Sequence, residues 1–263
     1  MLFMADTTAG VRFTALGPDG PLIEGADSRL ADFYAYPDDP QTCWVRGNMI
    51  ASLDGGATAD GKAGGLAGAG DRSMFGLMRH AADVILVGAA TVRVENYSGA
   101  QVPLAARHAR QSRGQSEVPP IAVVTRTGNL EPDSLFFTRT EVPPLILTCA
   151  DSVDDTQQRL GAVAEVLNAS GSRADSVDNA TALKLLAERG LFRVLTEGGP
   201  SLLSQLISDD LLDELCLTVA PILVGGSGRR IATGTGEVHN KMRPAHLLSD
   251  DQGYLYTRYV RAR

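Results

Sequence analysis

Three short stretches of this chain hold residue types whose spacing could do chemistry. In Val194-Leu195-Thr196-Glu197-Gly198-Gly199-Pro200-Ser201-Leu202 an apolar run ends in paired glycines, then a proline opens an apolar-periodic segment. Proline suits the first helical position, where its missing N–H costs nothing. Free N–H groups at a helix start, beside glycines that let backbone approach closely, attract an anion. The stretch reads as strand, tight turn and helix N-terminus facing a phosphate. Val87-Gly88-Ala89-Ala90-Thr91-Val92-Arg93 repeats this plan, with a hydroxyl at Thr91 and a guanidinium at Arg93 able to pair with phosphate oxygens. Either junction alone looks like an ordinary strand-to-helix turn, but two in one sheet suit the two phosphates of a dinucleotide. The third stretch, Asn48-Met49-Ile50-Ala51-Ser52-Leu53-Asp54-Gly55, sets Asn48, Ser52 and Asp54 along an otherwise apolar strand. Residues two apart on a strand share a face, so the three could line one surface and bind the edge of a heterocycle. Asp54 is the candidate for orienting it. A strand end turning at Asp54-Gly55 is the plainer reading of that residue, though not of Asn48.

Other motifs fall short of the chemistry they resemble. Gly56-Ala57-Thr58-Ala59-Asp60-Gly61-Lys62 fits the glycine-and-lysine half of a nucleotide-binding P-loop, but Ala63 stands where a magnesium-binding hydroxyl is needed. A flexible loop lining a site fits better. Gly225-Gly226-Ser227-Gly228, followed by Arg229 and Arg230, has its glycines too bunched for a dinucleotide fingerprint and reads as a solvated turn after a strand over 215–224. No G-x-S-x-G or H-E-x-x-H occurs, and His80, His108, His239 and His246 are in no metal-ligand spacing, so no metal is expected. His80, near a helix end, reads as a favourable charge on the C-terminal dipole.

The elements that must carry these stretches alternate between the two periods. Strands are expected over 43–53, 83–88, 121–125, 145–149, 192–196, 215–219 and 253–260, the last with the alternating aromatics of an edge or antiparallel strand. A helix is expected over 73–82, where Met74, Leu77, Met78 and Ala81 form one apolar face and Asp71 is placed to cap. Leu160, Val163, Ala164 and Leu167 again have helical spacing, closed by Gly171, and Asn179 is placed to cap a helix with Leu183, Leu186 and Ala187 inward, ending at Gly190. Residues 99–117, with Arg107, His108, Arg110 and Arg113, read as a surface loop or short helix. Residues 1–41, with turn signals at 17–20 and 37–40 and a short helix near 30–34, read as an extension packed on a single body over 42–263. Strands alternating with helices predict a three-layer α/β fold with a largely parallel central sheet.

Bulk properties restrict the partners. The 263 residues are 44% hydrophobic and 21% charged, ordinary for a globular chain, and the net charge of −7 opposes binding to nucleic acid or an acidic membrane surface. Cys43, Cys149 and Cys216 are odd in number and far apart, as reduced buried thiols of a cytoplasmic protein would be. No apolar run is long enough for a membrane span, and the N-terminus does not read as a signal peptide.

The stretches together form an ordered set: Asn48-Met49-x-Ala51-Ser52-Leu53-Asp54-Gly55, Leu77-x-Arg79-x-x-Ala82-Asp83-Val84, Val87-Gly88-Ala89-x-Thr91-Val92-Arg93, Leu186-x-Glu188-x-Gly190, Thr196-Glu197-Gly198-Gly199-Pro200, Asp213-Glu214-Leu215 and Ala220-Pro221-x-Leu223-x-Gly225-Gly226. Over roughly 42–260 this resembles the reductase domain of the riboflavin-biosynthesis bifunctional deaminase/reductase and the related stand-alone pyrimidine reductases. The resemblance implies a dihydrofolate-reductase-like fold with antiparallel C-terminal strands, NADPH as cofactor, a homodimer, and reduction of a phosphoribosylamino-pyrimidine. It places Gly88, Ala89, Thr91 and Arg93 in the cofactor site, with Glu197, Gly198, Gly199, Ser201 and Leu202 at the pyrophosphate and nicotinamide. It further places Thr125 and Arg126 near the adenosine 2′-phosphate, and Asn48, Ser52, Asp54 and Glu197 at the substrate. The zinc deaminase half has no counterpart in this sequence. Glu95-Asn96-Tyr97-Ser98-Gly99 replaces the family's acidic-proline and arginine stretch after Arg93. A dihydrofolate or pterin reductase on the same scaffold, or a non-enzymatic NADPH-binding regulatory protein, therefore stays open at this level.

Overall fold

The computed structural model describes residues 11–16, 22–24 and 28–262. The turn expected at 17–20 lies outside them. In chain order the elements are β1 (Arg12–Ala15), β2 (Leu22–Glu24), α1 (Ser28–Phe33), β3 (Trp44–Ser52), a 3₁₀ turn (Ala63–Leu66), α2 (Ala69–Ala81), β4 (Val84–Gly88), α3 (Ala89–Val94), α4 (Leu104–Ser112), β5 (Ile121–Val124) and α5 (Leu135–Thr138). There follow β6 (Leu145–Thr148), α6 (Ala150–Leu160), β7 (Glu165–Asn168), α7 (Asn179–Ala187), β8 (Arg193–Thr196), α8 (Pro200–Ser208), β9 (Glu214–Ala220), β10 (Met242–Asp250) and β11 (Leu255–Arg261). The strands form one sheet in the order β2-β1-β10-β11-β9-β3-β8-β4-β5-β6-β7. From β9 to β7 every neighbouring pair is parallel, and from β9 outward through β11, β10, β1 and β2 every pair is antiparallel. The predicted α/β architecture with antiparallel C-terminal strands is the observed one.

The three layers follow from the strands' alternation. On β4, Val84 and Leu86 point into a core shared with Leu183 and Leu186 of α7 and Leu203 and Leu206 of α8, whereas Ile85 and Val87 point into the opposite core with Val92, Phe136 and Leu160. Strands buried on both faces read as continuous apolar runs, as β4 and β6 do. Beyond β9 a third cluster, with Phe13, Leu30, Met74, Met78 and Tyr256, lies on one face of the sheet.

Five local expectations are corrected. The helix expected from Leu160 to Leu167 ends at Leu160, and 165–168 form β7 on the sheet edge. There Val166 and Leu167 face opposite cores, an alternation that a helical spacing had mimicked. Asp71 does not cap α2, which starts two residues before it with Gly68 at the N-cap. Asp178 caps α7, accepting from Thr181 N, while Asn179 is buried and donates Nδ2 to Asp209. His80 is not a charge on the helix dipole: burial and the nearby Arg110, Arg79 and Arg113 push its pKa down to about 4. The cations at that helix end are Arg110, fully buried on α4, and Arg113, which donate to the carbonyls of Arg79, His80 and Ala82. The strand expected over 215–224 stops at Ala220. The aromatic-bearing β11 is antiparallel, one of the two readings its pattern gave, and is not an edge because β10, unforeseen, pairs outside it.

The segment before β3 is fastened by charge. Arg46 and Arg258 share the buried carboxylate of Glu214 and donate onward to the carbonyls of Phe33, Tyr34 and Ala35, just where α1 leaves its own carbonyls unpaired.

Candidate active site

β3, β8 and β4 run parallel as neighbours, so their C-terminal ends and the turns that follow crowd one edge of the sheet. Open parallel sheets bind ligands at that edge. A cavity of about 860 Å³ opens there, lined by Asn48, Met49 and Ile50 of β3, by Gly88, Ala90, Thr91 and Val94, and by Gly199, Pro200, Ser201 and Leu202. Its other walls are Asp71, Arg72 and Phe75 of α2, the loop at Ala57, Thr58, Gly61, Ala63 and Gly64, the segment at Glu95 and Tyr97, and Ser227, Gly228, Arg229 and Ile231.

The two strand-to-helix junctions meet. Gly88 N donates to Gly198 O at 2.7 Å, tying the end of β4 to the turn after β8. Gly198 has φ +80°, a conformation that side-chain-bearing residues avoid, and its peptide bond to Gly199 is cis. Gly199 is the N-cap of α8, Pro200 its first residue, and no side chain caps the helix. The first amide of α8 to find a helical carbonyl is Leu203 N, on Gly199 O, so the Ser201 and Leu202 amides face the cavity end of the helix. A Cβ on Gly199 would collide with the Thr91 hydroxyl, which shows how closely the two junctions approach. Uncapped amides, glycine backbone and a hydroxyl are the donor set an anionic diphosphate needs, and the cavity volume is typical of cofactor sites. The residues present thus fit a nicotinamide dinucleotide.

Opposite the junctions stands a carboxyl that sequence reasoning had assigned to helix capping. Asp71 is half-buried, and desolvation raises its pKa more than the Thr218 hydroxyl of β9 and Arg72 lower it. Asp71, Phe75 and Arg79 recur every four residues on α2, a stripe beside the core-facing Met74 and Met78. That stripe is legible in the sequence, but it lies beside a stronger apolar periodicity at Met74, Leu77, Met78 and Ala81. Arg79 Nε and Nη2 donate to Glu197 Oε1 and Oε2 at 2.7 and 2.8 Å, and the Tyr97 hydroxyl donates to Oε2 at 2.6 Å. The Arg79 guanidinium also lies over the Phe75 ring, 4.2 Å from its centroid. Burial and Glu197 hold Tyr97 protonated, its pKa well above the ordinary value. Glu197 does line the cavity, but its oxygens are occupied in bracing α2 against the turn after β8.

Of the residues singled out from sequence, Asn48, Gly88, Thr91, Glu197, Gly199, Ser201 and Leu202 line the cavity together. Ala89 is buried behind them, and Gly198 contributes its carbonyl to the junction. Arg93 turns away, donating Nη1 to Asn129 O. Thr125 is buried and accepts from Gly128 N, and Arg126 is exposed one strand over from Gly88. Ser52 and Asp54 do not line the cavity, which corrects the expectation that they face a substrate. Ser52 is buried, donates to Asp54 Oδ1 and accepts from Gly56 N. Asp54 accepts from Val224 N on Oδ1 and Gly225 N on Oδ2 at 3.1 and 2.6 Å. These donors, the Ser52 hydroxyl foremost, lower its pKa to about 2, so at neutral pH it has no proton to give. Among the described residues no cluster of His, Cys, Asp or Glu could hold a metal ion, and no helix is long and apolar enough to cross a membrane.

Comparison with known proteins bears on this cavity. The family model described as the RibD C-terminal domain matches residues 43–256. A 2,5-diamino-6-ribosylamino-4(3H)-pyrimidinone 5′-phosphate reductase of Archaeoglobus fulgidus is 28% identical over 180 residues, 68% of this chain and 80% of that protein. The riboflavin biosynthesis protein RibD of Bacillus amyloliquefaciens is 30% identical over 187 residues, 70% of this chain but 47% of its own length, so the chain spans about half of that relative. Among solved structures, a pyrimidine reductase-like protein of Corynebacterium diphtheriae superposes with a TM-score of 0.77 at 26% identity, covering 89% of this chain and 99% of that one.

Proposed function

The chain belongs to the RibD C-terminal domain family, and on that premise we propose that it is an NADPH-dependent reductase of a phosphoribosylamino-pyrimidine of the riboflavin pathway. The observation that carries the proposal is the meeting of two strand-to-helix junctions at one cavity whose wall also bears a half-buried carboxyl. The cofactor supplies a hydride. The amides of Ser201 and Leu202, the glycine backbone at 88 and 199 and the Thr91 hydroxyl hold its diphosphate. Arg126 takes the 2′-phosphate, a role supported by its exposed guanidinium beyond the strand next to Gly88. Asp71 accepts hydrogen bonds from the amino or ring N–H groups of the pyrimidine and holds the carbon to be reduced against the nicotinamide. Asn48 supplies a second polar contact from β3. Phe75 and Ile50 keep water off the reacting atoms, which strengthens those polar contacts.

Two chains per particle belong to the same reading. It is supported by the helix-free face of the antiparallel strands, where Leu255 is exposed and Leu217 and Val219 are half-buried.

The test is consumption of NADPH with the 2,5-diamino-pyrimidinone phosphate and its deaminated 5-amino-uracil counterpart. One of the two should be turned over by the wild-type chain. Asp71→Asn should lower kcat about 100-fold, the scale of one well-placed polar group at a reacting centre, while NADPH affinity changes less than about 3-fold. No NADPH loss with either pyrimidine would remove the proposal, and full turnover by Asp71→Asn would remove Asp71 from it.

A further inference from the structure

The two oxygens of the Asp54 carboxylate accept from the backbone amides of Val224 and Gly225. β9 ends at Ala220 and β10 starts at Met242, and between them the chain runs without helix or strand. Long connections of this kind inside a compact domain usually serve a function. Residues 221–231 cross from the end of β9 to the start of α8, and their attachments are few. Leu53 N donates to Ile222 O, Ala57 N to Arg229 O and Thr233 N to Pro200 O. Between those anchors, residues 222–230 are exposed. The Val224 and Gly225 amides converge on the two oxygens of Asp54, which Ser52 steadies from behind. Gly225 and Gly226 both have left-handed φ, +66° and +65°, and with that reversal the segment turns back over the loop at Gly56. Immediately after it come Ser227, Gly228, Arg229 and Ile231, all in the cavity wall.

We propose that Asp54 is a positioning residue that latches 221–231 as a strap across the cavity, and that the latched strap sets how tightly the dinucleotide is held. The latch acts at a distance. Its carboxylate touches no ligand, but it fixes the segment that brings Ser227 and Arg229 into the wall of the same cavity that Pro200 and Ser201 line. A guanidinium there complements the diphosphate bound at the start of α8. With the carboxylate gone, two amides exchange a charged acceptor for water, and the strap is left on its flanking anchors. The fold should tolerate this, because the bonds lost are at the surface.

The affinity arm of the test rests on the dinucleotide reading, whereas amide exchange does not. Asp54→Ala, Asp54→Asn and Gly225→Ala are compared with wild type by hydrogen exchange over 221–231, by NADPH titration, and by kcat at saturating cofactor and substrate. Gly225→Ala leaves Asp54 intact and strains the latched turn, so it separates loss of the latch from loss of the carboxylate. Asp54→Ala and Gly225→Ala should raise strap exchange and weaken NADPH binding about 10-fold, the order of one net hydrogen bond. Asp54→Asn, with one acceptor oxygen left, should fall between, and kcat should stay within about 3-fold of wild type in all three. The proposal is overturned if strap exchange or NADPH affinity is unchanged in Asp54→Ala, or if kcat falls about 100-fold with exchange unmoved, which would mark Asp54 as a group that meets the substrate. Failure of the wild-type chain to bind NADPH would instead strike the dinucleotide reading, leaving exchange to judge the latch.

Discussion

Glu197 has a side chain only 3% exposed, and it faces an Arg79 side chain 14% exposed across two short hydrogen bonds. Removing one partner of a buried pair strands the other charge in a medium that solvates it poorly, at a cost well above the net worth of the pair. Glu197→Gln keeps the shape and removes the charge. It should lower unfolding stability by about 3 kcal/mol, read as an earlier midpoint in urea at an unchanged slope. An unchanged midpoint would mean that Arg79 finds another partner and that the brace between α2 and the turn after β8 is dispensable. At this scale the sequence revealed residue types better than their targets. Asp54 and Glu197 sit in motifs that look catalytic, yet one carboxylate binds backbone amides and the other an arginine. Partners 170 and 118 positions away leave no trace in local spacing.

At the scale of elements, β10 brings His246 between the rings of Phe33 and Tyr34, with centroids 5.1 and 4.9 Å away. Its Nε2 is buried without a partner. Burial, reinforced by Arg258 and Arg46 and opposed by Glu214, lowers its pKa to about 4. The unfolded chain takes up this proton near the ordinary histidine value and the folded chain does not, so protonation favours unfolding. The stability involved is complete above about pH 6.5 and is lost as pH falls toward about 4, and His80 acts in the same direction. Tm should therefore fall from pH 7 to pH 5, and His246→Leu should make that fall shallower; an identical slope in the variant would exclude His246 as a source. The strands of the parallel half were legible because burial on both faces writes continuous apolar runs. β10 was not, since Met242–Asp250 mixes exposed and half-buried positions with a proline and carries neither clean alternation nor an apolar run. Helical spacing at Leu160–Leu167 misled for a related reason: a helix end followed by a short edge strand reproduces three- and four-residue intervals by chance.

For the molecule as a whole, the sheet order decides the function. β8 inserts between β3 and β4, so residues near 50, 88 and 199 that are far apart in the chain share one edge. α2 then presents Asp71 from the side, and the strap from β9 closes over the loop at Gly56. That the two glycine-bearing junctions and Asn48 carry residue types suited to a ligand was legible from types and spacing, and the fold brings them to one cavity. The wall built by α2 and the strap was not legible, because only the folded sheet brings those segments to the same edge. The measurement that tests the central claim most directly is the crystal structure of the chain with NADP⁺. The account predicts the diphosphate on the Ser201 and Leu202 amides, the nicotinamide between Gly199 and Asn48 with Asp71 facing it, and the 2′-phosphate at Arg126. The same crystal would show whether the helix-free face meets a second copy. A dinucleotide bound away from Gly88 and Gly199, or a nicotinamide outside the cavity, would contradict it.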